Sequence, residues 1–207
     1  MKFYLVAILF PLLAEAQLPD PQNVTVKSVG YSGNGCPQGS VSATISTDRT
    51  VITLGFDEFK LAIGPGFNPT DKVKNCAVHI NLNLNYSAKP SPQFAITGAT
   101  YHGYANLGTG INKVFSSTYI FDQIDTFEMR TNATISGTDS NYGQVFTETR
   151  TIPEAGQVRS LCGAQSVPFT IYTRVNLVSK FASASLNEYE QDYVPLTQQI
   201  HLKWLSC

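Results

Sequence analysis

Charge is scarce in this chain. Only 14% of its 207 residues are Asp, Glu, Lys or Arg, and the formal net charge is −1. There is no run of like charge and no basic stripe, so the electrostatic footprint that nucleic acids and anionic membrane surfaces select is missing. Beyond residue 16 no stretch is long and apolar enough to predict a transmembrane helix, and residues 201–207 carry no hydrophobic tail of the kind that precedes a lipid anchor. Helical periodicity is equally thin: no window of a dozen residues combines a 3.6-residue period with good helix formers. Nor is there a G-x-S-x-G elbow or a phosphate-binding P-loop, so the chain lacks the sequence marks of two large enzyme classes. No cofactor is expected.

What is present starts at the N-terminus. Lys2 precedes an apolar stretch over residues 3–13, followed by Ala14-Glu15-Ala16. A short positive start, a short hydrophobic segment and a small-x-small site read as a secretory signal peptide over residues 1–16, too short to span a bilayer. The mature chain is expected to begin at Gln17 and to form a single domain over residues 17–207, secreted to the extracellular space or cell wall. In that oxidising setting Cys36, Cys76, Cys162 and Cys207 read as two disulfides rather than a zinc site. Three connectivities are possible. Nearness in sequence favours Cys36 with Cys76 and Cys162 with Cys207, each pair joining a Gly-rich loop to a strand end. Asn23, Asn85 and Asn132 open N-x-S/T sequons and are expected on glycosylated, exposed surface.

Hydrophobic content of 43% is enough for a core. Alternation of β-branched and aromatic residues recurs along the whole chain, interrupted by Gly, Asn, Pro and Asp, and predicts ten or eleven strands. Strand density of this kind predicts an all-β fold, a jelly-roll-like antiparallel β-sandwich. Val78, Ile80, Leu82 and Leu84 share one face of a strand whose other face carries His79, Asn81, Asn83 and Asn85. Ile200, Leu202 and Trp204 likewise oppose Gln199, His201 and Lys203. Residues 127–150 suggest a hairpin with its loop around Asp139, in which Arg130 meets Glu148 and Glu128 meets Arg150 across the strands. That register leaves Phe146 on the wet face, where burial within the hairpin does not account for it.

Three groups of residues are candidates for function. Tyr101, His102 and Tyr104 combine rings with polar groups, which suits stacking on a sugar or contact with a protein. His79, His102 and His201 would supply three imidazoles to a metal ion, although no HxH or HExxH spacing supports it. Asp57 with Glu58 offers two carboxylates for glycoside hydrolysis, but adjacent strand residues point to opposite faces.

Gly35-Cys36-Pro37-Gln38-Gly39-Ser40, Asp48-Arg49, Asn75-Cys76 with His79, residues 99–105 (Ala-Thr-Tyr-His-Gly-Tyr-Ala), Cys162-Gly163, and Gln198-Gln199-Ile200-His201-Leu202-Lys203-Trp204 to Cys207 together resemble the domain-of-unknown-function family 4360. The resemblance covers nearly all of the mature chain. It implies a small secreted protein of the kind abundant in filamentous fungi, and it implies no activity. The expectation is a non-catalytic extracellular protein, effector-like or wall-associated, that binds a host or wall component. A carbohydrate-binding module using exposed aromatics is the first alternative, and a metal-dependent enzyme using the histidines the second. Its partners are expected to be extracellular proteins or glycans.

Overall fold

A computed structural model of the chain describes residues 24–86, 91–124, 128–137, 143–180, 190–191 and 196–207. The signal-peptide segment and Asn23 lie outside the described residues. The strands are β1 (Thr25–Ser32), β2 (Val41–Ile45), β3 (Val51–Phe56), β4 (Ala62–Ile63), β5 (Val73–Asn83), β6 (Pro92–Ala105), β7 (Ile111–Phe121), β8 (Met129–Ser136), β9 (Gln144–Thr151), β10 (Ser166–Ser179), β11 (Glu190–Gln191) and β12 (Leu196–Ser206). Among the described residues, the one short 3-10 turn, Glu154–Gly156, is the sole helical element, and no helix is long and apolar enough to cross a membrane.

Two five-stranded antiparallel sheets form the sandwich. The first runs β1-β5-β10-β7-β8 and the second β2-β3-β12-β6-β9, with β4 and β11 as a small separate pair. The chain crosses repeatedly from one sheet to the other, as a strand-rich sequence with few hairpins must. In the second sheet the central position belongs to β12, which pairs with β3 on one side and β6 on the other.

Strand alternation decides which residues make the core. In β5, Cys76, Val78, Ile80 and Leu82 are buried, and in β12 Ile200, Leu202 and Trp204 are buried, so both strands follow the two-residue pattern of their sequence. Phe94 on β6 joins the sheets: its ring lies 5.3 Å from Phe121 and 6.1 Å from Phe169 of the first sheet, and 5.2 Å from Trp204 beside it. Lys113 also points inward from β7, with its ammonium 5.8 and 5.6 Å from the ring centres of Phe115 and Phe146.

Disulfides join Cys36 to Cys76 and Cys162 to Cys207, as nearness in sequence suggests. The first is buried and ties the β1–β2 loop to β5. Gly33 makes that approach possible: its φ is +143°, and a Cβ there would stand 2.2 Å from the Asn75 carbonyl oxygen. The second is exposed and ties the segment before β10 to the end of β12.

The expected hairpin over residues 127–150 does not form. β8 pairs with β7 at the edge of the first sheet, and β9 pairs with β6 at the edge of the second. The ion pairs run along each strand instead, Arg130 to Glu128 at 2.5 Å and Arg150 to Glu148 at 2.9 Å. The inward face of β9 is Phe146, Glu148 and Arg150. Phe146 is therefore core, tilted against Phe115 at 5.5 Å. Arg150 reaches across the open edge of the sandwich and donates through Nε to the Asn132 carbonyl at 3.0 Å.

Candidate functional site

Residues 98–105 show how strand parity distributes side chains in β6. Tyr101 points into the sandwich and is 0% exposed. Its hydroxyl donates to Ser117 at 2.8 Å and meets Thr131 at 2.7 Å. Tyr119 meets the same Thr131 at 2.8 Å, and Gln198 donates to Ser117 at 3.0 Å and to Tyr119 at 3.2 Å. Thr173 completes the cluster, donating to the Gln198 Oε1 at 2.8 Å. Burial, with Tyr101 beside it, holds the Tyr119 phenol well above its ordinary pKa. The cluster draws on both sheets and fixes their relative register through bonds that are worth most in a water-free interior. Tyr101 is thus corrected from a candidate ligand residue to a core residue: a sugar has no access to its ring.

His102 and Tyr104 point the other way, onto the outer face of the second sheet. His102 is exposed, with Nδ1 2.8 Å from Thr147 Oγ1 on β9. Tyr104 is half-buried because its ring lies over Gly143, where a Cβ would stand 1.9 Å from the phenol oxygen. A glycine at this point lets the aromatic ring lie flat along its neighbour strand. Beside these two, Thr100 bonds Thr149 at 2.8 Å and His201 Nε2 at 2.9 Å. The register places Gln199 opposite Thr100 and Thr53, and Thr197 opposite His102. Burial pushes the His201 imidazole below its ordinary pKa. The middle of this face is a sheet of hydroxyl, amide and imidazole groups with one ring at its end. Lys203 is the one charged side chain that its described strands turn outward there.

The three histidines do not converge. His79 stands on the outer face of the first sheet, with Nδ1 2.9 Å from Thr170, while His102 and His201 stand on the outer face of the second. The full thickness of the core separates them, so the three-histidine metal centre is corrected: alternation along β5 and β12 turns their polar faces in opposite directions. Among the described residues no group of three His, Cys, Asp or Glu is arranged to hold a metal ion. Asp57 and Glu58 are both exposed just beyond β3. Asn85 is exposed directly after β5, and Asn132 is exposed on the outer face of β8. The threonine row of β9, with Thr100 on β6 and Thr197 on β12, escaped sequence reading because each threonine alone resembles any solvent-facing strand residue; only the strand order β12-β6-β9 collects them.

Residues 22–207 match the family described as "Domain of unknown function (DUF4360)". An "Uncharacterized secreted protein" of Arthroderma benhamiae is 33% identical over 190 residues, covering 91% of this chain and 74% of that protein. Among solved structures, TmCBM61 in complex with β-1,4-galactotriose aligns over 87% of this chain and 90% of its own, at 8% identity and a TM-score of 0.24. A family 11 carbohydrate-binding module from Clostridium thermocellum, in complex with a mixed-linked tetrasaccharide, aligns over 86% and 93% at 11% identity, with a TM-score of 0.24. Scores of that size say nothing about a ligand.

Proposed function

Since the chain belongs to the DUF4360 family and is 33% identical to a secreted protein of Arthroderma benhamiae, we propose that it is an extracellular, non-catalytic binding protein that holds a neutral wall polysaccharide on the outer face of its second sheet. Two disulfides and the secreted relative fit an extracellular setting. The observation that supports this reading is the uncharged row of His102, Thr147, Thr149, Thr197 and Gln199, set around the buried Thr100 and ending at Tyr104. Neutral sugars present hydroxyls, which such groups pair with in both directions, and apolar C–H faces, which a tyrosine ring covers. A protein partner is less well matched, because protein interfaces centre on several aromatic, Met and Arg side chains rather than on rows of threonine. Action on a host protein, as an effector, is the reading to pursue if polysaccharides fail.

The test is retention of the secreted protein on insoluble β-glucan, chitin, xylan and mannan. We expect one of these to retain it, and Tyr104→Ala and His102→Ala each to weaken retention at least tenfold with the fold intact by circular dichroism. Retention of none, or full retention of Tyr104→Ala, sinks the proposal.

A further inference from the structure

The outer face of the first sheet carries an arrangement that the second-sheet reading leaves unused. Thr170 on β10 is only 4% exposed although it lies on the outer face. Its hydroxyl donates to the Asp122 carboxylate at 2.9 Å. With its single hydrogen committed there, Thr170 accepts from His79 Nδ1–H at 2.9 Å. The imidazole is held in one orientation and, in the neutral ring, Nε2 is left as an acceptor. Across β1 the register sets Gly30 opposite His79, and nothing lies within 4 Å of where a Cβ on Gly30 would stand. His79 itself is exposed.

Two further groups flank it. Tyr172 pairs with Ala77, one position diagonal to the His79–Thr170 pair, and is 48% exposed. Diagonal neighbours on adjacent strands stand roughly 7–8 Å apart, within reach of an aromatic ring. On the other side, Ser166 donates to Asn81 Oδ1 at 2.6 Å, which turns the Asn81 amide nitrogen outward as a donor. An exposed ring, a fixed acceptor and a fixed donor thus lie along one line, over a floor kept low by Ala77 and Gly30. None of the three is charged. Of the two sequon asparagines among the described residues, Asn132 stands at the far edge on β8, with β7 between it and β10, and Asn85 lies just past the end of β5, four residues beyond Asn81.

We propose that Tyr172, His79 and Asn81 form a second sugar-binding site, and that the protein bridges two polysaccharide chains held on opposite faces of the sandwich. The site stands on its own geometry; the bridging rests on the second-sheet reading above. Each protein molecule then acts as a cross-link, and soluble polymer mixed with it forms a network that disperses again when protein is in large excess.

The experiment uses the secreted protein with soluble β-1,3-glucan, xylan and mannan, measuring binding by affinity electrophoresis and network formation by light scattering. Wild type is expected to retard one polymer and to scatter with a maximum at intermediate protein ratio. Tyr172→Ala and His79→Ala should still be retarded but lose scattering at least tenfold, while Tyr172→Phe, which keeps the ring, scatters like wild type. Tyr104→Ala should mirror that loss from the other side. Binding without scattering in the wild type overturns the bridging, and so does full scattering by Tyr172→Ala. Retardation abolished by Tyr104→Ala alone overturns the first-sheet site and leaves the second-sheet reading intact. Retardation abolished by Tyr172→Ala alone does the reverse. No retardation by any polymer overturns both.

Discussion

The Trp204 indole donates to the main-chain carbonyl of Arg49 at 2.8 Å, 155 positions away in sequence. Arg49 has a left-handed backbone, with φ of +59°, in the β2–β3 turn, so its carbonyl is aimed at β12 by the turn itself. Trp204→Phe keeps an aromatic ring against Phe94 but leaves that carbonyl without its partner. The cost is expected to be about 1–3 kcal/mol, which a thermal melt resolves as roughly 2–4 °C per kcal/mol in a chain of this size. Arg49→Gly keeps the carbonyl and suits the left-handed turn, so it is expected to change stability by less than about 1 kcal/mol. A larger loss in Arg49→Gly than in Trp204→Phe would mean that the arginine side chain, not the indole bond, holds the turn.

His201 gives the fold an acid sensitivity of known sign. Burial lowers its folded pKa, so between that value and the ordinary imidazole value near 6.5 the unfolded chain binds a proton that the folded chain does not. Stability is at its full value above about 7, falls as pH drops through the ordinary range, and levels off below the depressed folded value. His201→Gln is expected to flatten this part of the profile. Urea midpoints at pH 7.5 and pH 5 check it: equal losses in wild type and variant would rule His201 out as the source.

Tyr119 does the opposite at alkaline pH. Its raised pKa means the folded chain keeps a proton that the unfolded chain gives up, so stability is retained below about 10 and lost as pH rises beyond it. Tyr119→Phe is expected to cost about 1–3 kcal/mol at pH 7, since Thr131 and Gln198 each lose a partner. Above pH 10 the gap between variant and wild type should narrow. A gap that stays constant would mean the phenol does not titrate with unfolding.

Exposure separates the two disulfides. Cys36 and Cys76 are 2% and 1% exposed, whereas Cys162 and Cys207 are both open to solvent. Limited reduction followed by alkylation and peptide mapping is expected to label Cys162 and Cys207 first. Replacing both by serine should cost about 4 kcal/mol by the loop-closure relation for a separation of 45 residues. Labelling of Cys36 before Cys162 would contradict the burial argument.

The parts of this fold that sequence revealed were those written into a single strand. Val78, Ile80 and Leu82 announce the inward face of β5, and Trp204 that of β12, because a two-residue period needs no knowledge of the partner strand. Partner choice is a different matter. The charges of Glu128, Arg130, Glu148 and Arg150 suggested one register between β8 and β9, yet a pattern along two strands fixes their faces and not which sheet each joins. Phe146 was the sign of trouble: a large apolar residue on the supposed wet face meant the parity of β9 was reversed. Tyr101 failed for a related reason, since its hydroxyl finds Ser117 and Thr131 inside the core, and a buried tyrosine with satisfied bonds looks from sequence like an exposed one. The threonine row and the His79–Thr170–Asp122 chain depend on neighbours up to about a hundred positions away, which no local period carries.

The central place of β12 bears on how this protein is made. In a chain read out from its N-terminus, β2, β3, β6 and β9 all emerge before residues 196–206, and none of β3 or β6 can pair across the gap that β12 fills. The second sheet therefore exists only as two separate hairpin-like fragments, with raw strand edges facing each other, until its latest strand arrives. Such edges invite pairing with other chains, so the interval between the emergence of β9 and the docking of β12 is when a folding helper has most to protect, and closure of Cys162 with Cys207 marks its end.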